Sequence, residues 1–119
     1  VVIVTEEEAR ETEKTKEKGL KTWIFSADNV RDFGFATSRK FIWDAMVVPV
    51  GKYRPMAMSF YPKEGNPLWG QYSTKAVAQT LKTYSKHTID YPYPVAISVH
   101  TKWIGMEYPM ICFNGGRPA

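Results

Sequence analysis

The chain has 119 residues, 44% of them hydrophobic, with 4 Trp, 7 Tyr and 6 Phe. That is the size of one ordinary domain, with enough apolar area for a core, which excludes a disordered tail. A formal charge of +4 is weak as the mark of a nucleic-acid face, and the single cysteine excludes an internal disulfide and a four-cysteine zinc site.

The charge is uneven. Residues 1–22 carry six acids and five bases, whereas residues 23–119 carry eleven bases and six acids. No apolar run approaches the ~18 residues of a membrane span. Val1 to Val4 is too short, and lacks the basic flank, for a signal peptide. Composition leaves the compartment open. A start at Val1 without Met, and an end at Ala119 directly after Asn114-Gly115-Gly116-Arg117-Pro118, read as a piece of a longer protein.

In chain order, Thr5-Glu6-Glu7-Glu8 has the capping-box spacing, acids fill the first turn, lysines the last, and Gly19 can end the helix. Only Ala9 is apolar between them, so residues 1–19 read as a solvated helix or connector. Trp23, Phe25, Val30, Phe33 and Phe35 predict two short strands or one bent strand. Phe41 to Val50 is a further apolar stretch ended by Pro49 and Gly51. Met56 to Tyr61 is a strand candidate closed by Pro62.

One amphipathic helix follows, from about Trp69 or Ser73 to His87, with Val77, Leu81, Tyr84 and Thr88 at helical spacing. Tyr91-Pro92-Tyr93-Pro94 is extended, because each proline drives its predecessor out of helical angles. Two final strands, Val95 to His100 and Trp103 to Phe113, complete an α+β chain that is mostly strand with one clear helix.

Few residues can carry chemistry. His87 and His100 have no metal-ligand spacing and read as surface or hydrogen-bonding residues. Cys112, between Ile111 and Phe113, reads as a buried, inert thiol. No basic cluster is longer than Arg39-Lys40, so the rings read as core and not as a stacking platform for bases. Glu107 is different: an acid inside an apolar strand is costly to bury unpaired. A carboxylate beside an accessible strand backbone can hold a peptide, the main chain aligning it and the acid taking its amino end. The plainer alternative is that Glu107 points to solvent from an edge strand.

Gly105-Met106-Glu107, followed by Tyr108-Pro109, resembles the Gly-x-Met-Glu-Asn motif of the aminopeptidase-N-like zinc peptidases, the gluzincin group that includes leukotriene hydrolase. Trp23 to Trp43, with Ala27-Asp28-Asn29-Val30-Arg31-Asp32-Phe33, is similar to the end of that family's N-terminal β domain. Leu68 to Ile89 is similar to the first helix of its thermolysin-like catalytic domain, and Tyr91 to Pro118 to the strands leading to its zinc helix. Ile104 and Tyr108 stand where the family has Gly and Asn.

After the connector over 1–19, the resemblance, which covers roughly residues 20–118, implies two parts: the end of a β domain over 20–48 and the start of a catalytic domain over 49–119. It implies substrate-binding roles for Gly105, Met106 and Glu107, the glutamate holding the α-ammonium of a peptide with a free N-terminus. It also implies a zinc ion in the parent protein, with its H-E-x-x-H ligands beyond this chain, so that the 119 residues alone are inactive. The other partners expected are the rest of the parent chain and further copies, because a cut across a domain junction exposes packed faces. Nucleic acid and a membrane segment are not expected. The alternative is a non-catalytic peptide- or protein-binding β-rich module, or a zinc-less pseudo-peptidase.

Overall fold

The computed structural model describes residues 23–102 and 105–116. The chain divides into two compact units, Val1–Val30 and Arg31–Ala119. The helix expected over residues 1–19 lies outside the described residues. In the first unit, residues 23–30 form no strand, and Trp23, Ile24 and Phe25 are exposed.

The second unit is a five-stranded mixed sheet with one helix, the α+β class that the patterning predicts. Its strands are β1 (Ile42–Val47), β2 (Met56–Tyr61), β3 (Val95–Thr101), β4 (Met106–Tyr108) and β5 (Ile111–Gly115). They lie in the order β1-β2-β3-β5-β4. The outer pairs are antiparallel, and β2 with β3 and β3 with β5 are parallel. A parallel pair needs a crossover of a dozen or more residues, and residues 62–94 provide it between β2 and β3. Helix α1 (Thr74–His87) fills that crossover, preceded by a π-helical turn at Trp69–Ser73. Among the described residues no helix is long and apolar enough to cross a membrane.

The buried stripe of α1 is Thr74, Ala78 and Leu81, with Val77 beside it. Tyr84, expected on that stripe, is 68% exposed. Ser85 continues the stripe instead, because its hydroxyl accepts the Tyr91 backbone N–H at 3.1 Å. The core under α1 joins Val48, Val50, Ala57, Ala78 and Leu81, with Tyr91 and Ala96 against it. Small residues on both elements, Ala57 and Ala78, let the helix come close to the sheet, and each buried Val or Leu adds about 1.5–3 kcal/mol.

The opposite face is met by residues 31–41, which form no strand. Gly34 passes over Tyr108 and Ile111, and the Phe41 ring lies 6.1 Å from that of Phe60. The strand expected around Phe33 and Phe35 does not form there, because this segment crosses the face of the sheet and joins no ladder. The domain boundary expected between residues 48 and 49 falls between β1 and β2, which are neighbours in one sheet through six paired positions from Ile42↔Tyr61 to Val47↔Met56.

The last predicted strand, Trp103 to Phe113, is in the structure a hairpin of β4 and β5. Tyr108 pairs with Ile111 across a two-residue turn, Pro109-Met110. Proline fits the first central position of such a turn, and Met110, at φ 67°, supplies the left-handed second one.

Candidate functional site

Met106 and Glu107 lie on β4, one of the sheet's two edge strands, paired on one side only, with β5, and Gly105 directly precedes it. All three are exposed, Met106 by 50%. Glu107 is therefore an edge-strand acid facing solvent and not a buried carboxylate. The apolar residues around it in sequence belong to a hairpin that turns two residues later.

Gly105 has φ +87°, a left-handed conformation that strongly favours glycine, and no atom stands within 4 Å of where a Cβ would be. Its backbone N–H donates to the Phe113 carbonyl at 3.2 Å, although Phe113 is the register partner of Met106. Gly105 and Met106 thus both face Phe113 of β5, the pattern of a glycine-initiated bulge. Backbone geometry, more than closeness to another chain, is what calls for glycine here.

The ladder fixes which main-chain groups remain at the edge. The Met110 carbonyl accepts from the Ile97 N–H of β3 at 2.8 Å, so alternation turns Cys112 toward β3 and turns Ile111 and Phe113 toward β4. Their partners Tyr108 and Met106 therefore spend their N–H and C=O groups on β5. Glu107 turns both of its own outward. Beside it, Pro109 has no N–H and the Gly105 N–H is already used. Among the described residues of β4, Glu107 alone offers a donor, an acceptor and a carboxylate together.

Across the sheet the register aligns Asp44, Ser59, Ser98, Cys112 and Glu107 in one row, and directly opposed residues share a face. It is the face that α1 covers over β1 to β3, since Ala57 and Ala96, two positions along, pack on the helix. The inner polar groups are satisfied: the Ser59 and Ser73 hydroxyls lie 2.7 Å apart, and the Asn114 amide donates to Ser98 Oγ at 2.8 Å.

Cys112, directly opposite Glu107, is half-buried, and its thiol is pushed above its ordinary value of 9.0 by burial first and the Glu107 charge second. A thiol that holds its proton is a poor nucleophile, in line with the inert residue expected. Sequence reasoning did not foresee that it neighbours Glu107.

The two histidines part company. His87 is exposed at the end of α1. His100 is half-buried with its ring 4.9 Å from Trp69, and its Nε2 is buried without a hydrogen-bond partner. Gly116 lies so close that a Cβ there would collide with this ring and with Trp69. His100 therefore packs against Trp69, with no hydrogen bond at Nε2. Among the described residues no three His, Cys, Asp or Glu side chains converge as metal ligands.

The residues missed at sequence level are Tyr108 and Gly34. A methyl placed on Gly34 would stand 3.1 Å from Tyr108 Cδ2 and 3.2 Å from Ile111 Cγ2. On the same face the Tyr108 and Phe113 rings meet edge-on, at 6.1 Å and 87°. A glycine between two phenylalanines, Phe33-Gly34-Phe35, is the one signal that could have marked this close approach. No protein-family model, no curated protein and no solved structure matches the chain.

Proposed function

We propose that this chain is part of a longer zinc-dependent aminopeptidase and carries the residues that hold the substrate's amino end. The observation that supports this reading most is Glu107 at the open edge of β4, with its N–H and C=O directed away from β5 and its exposed side chain beside them. A peptide laid along that edge exchanges main-chain hydrogen bonds with one residue only. The same residue's carboxylate then takes the α-ammonium group. Gly105 and Met106 shape the approach through the bulge. The hydrolytic site and its metal belong to other residues of the longer protein, and the 119-residue chain alone is inactive.

Selection for a free amino end follows from the charge. Once a bound peptide covers Glu107, a blocked N-terminus leaves the carboxylate without a cation, a loss of about 2–5 kcal/mol. In the longer enzyme, Glu107→Ala should cut kcat/KM on leucine p-nitroanilide by about 30-fold or more. Its activity on N-acetyl-leucine p-nitroanilide should be low before and after the change. Unchanged kinetics on the free-amino substrate would remove Glu107 from this role.

The same edge strand also suits a second reading, a non-catalytic module that binds extended peptides by strand addition. Chelation separates the two. The aminopeptidase loses its turnover with a metal chelator, whereas the module binds peptide with or without one.

A further inference from the structure

The row geometry leaves open how a strand of only three residues keeps Glu107 on the helix-covered face and Cys112 beside it. Alternation puts Met106 and Tyr108 on the other face, so the hold must come from there. Met106 is 50% exposed and grips little. Tyr108 is half-buried: a Cβ on Gly34 would stand 3.1 Å from its ring, and that ring meets the Phe113 ring edge to face at 6.1 Å. Its main chain is also the last pair before the Pro109-Met110 turn. Resting on the amino-end reading above, we propose that Tyr108 is the positioning residue of that site: clamped between Gly34 and Phe113, it fixes the roll of β4 and so the direction of the Glu107 carboxylate.

The clamp places a ring on the face of β4 opposite to Glu107. It also ties the site to the segment 31–41, since anything that lifts Gly34 frees the ring. A change of Glu107 direction is readable without substrate, because Cys112 lies directly opposite and feels its charge.

The test is the pH midpoint of Cys112 alkylation by iodoacetamide, measured on the 119-residue chain. The variants are Glu107→Gln, Tyr108→Ala, Tyr108→Phe and Gly34→Ala, the last three each with and without Glu107→Gln. Glu107→Gln alone should lower the midpoint. Tyr108→Phe should keep both the wild-type midpoint and its dependence on Glu107, since the ring remains. Tyr108→Ala should abolish that dependence. Gly34→Ala keeps the tyrosine and crowds it, so it serves where Tyr108→Ala fails to fold, and it should weaken the dependence. Full dependence on Glu107 in either Tyr108→Ala or Gly34→Ala overturns the proposal, as does a midpoint that ignores Glu107 in the wild type.

In the longer enzyme, Tyr108→Ala should raise KM for leucine p-nitroanilide by about 10- to 100-fold, the cost of a displaced anchoring group. Tyr108→Phe should not. If the wild-type enzyme treats free and acetylated amino ends alike, the amino-end reading fails, while the alkylation cycle still decides whether Tyr108 sets Glu107.

Discussion

Three side chains in the second unit hold their protons more tightly than free side chains do, and for the same reason. Burial is the larger cause for Cys112, Tyr61 and Tyr91, and neighbouring negative charge adds to it: Glu107 at Cys112, Asp44 at Tyr61, and Cys112 then Tyr93 at Tyr91. The Tyr91 hydroxyl is further committed as a donor to the Val95 carbonyl at 2.9 Å. Each group therefore binds its proton better in the folded than in the unfolded chain. The stability this contributes is fully present below the ordinary values of 9.0 for the thiol and 10.0 for the phenols. It is lost as pH rises through the higher folded values. Urea midpoints should thus hold steady up to roughly pH 8–9 and fall steadily toward pH 11. A Cys112→Ser variant should lose less over the first part of that range. A midpoint that rises with alkali would contradict the burial of these groups.

At the scale of elements, α1 shows how narrow the hydrophobic contact can be. Leu81 is 5% exposed and Tyr84 68%, although helical spacing puts both on one apolar side. Leu81→Ala should therefore cost about 2–5 kcal/mol in chemical denaturation, and Tyr84→Ala should stay within about 0.5 kcal/mol. Equal losses would mean that the helix sits on the sheet in a different rotation. The same elements show what the sequence could reveal. Met56 to Tyr61 and Val95 to His100 were legible as strands because short, mostly apolar stretches lie between turn residues. Their parallel pairing was not legible, since it depends on where the crossover helix returns the chain. The β4–β5 turn was hidden by Met110, which occupies a left-handed position where glycine or asparagine is the usual signal. Pro109 was the remaining clue. Of the candidate site, Gly105-Met106-Glu107 could be picked out as residues, whereas the bulge, the outward turn of Glu107 and the seat of Tyr108 on Gly34 depend on register and on a segment some seventy positions away.

For the molecule as a whole, several large apolar side chains of the second unit stand open to solvent. Phe35 is 68% exposed, Trp43 57% and Val47 52%, with Met46 and Phe33 also above 40%. Patches of this kind mark faces that pack against something. The chain on its own should therefore self-associate at roughly micromolar concentrations in sedimentation velocity, and Trp43→Ser should reduce it. A monodisperse monomer across that range would remove the expectation. The row Asp44, Ser59, Ser98, Cys112, Glu107 restricts how copies can join. It begins and ends in a carboxylate, one on each of the sheet's two open margins. If one copy's β1 were laid against another's β4 with the row continued, Asp44 would face Glu107, and like charges directly opposite repel. Copies can meet through their exposed apolar side chains, yet the sheet carries at both margins a charge that discourages its own extension into a fibre.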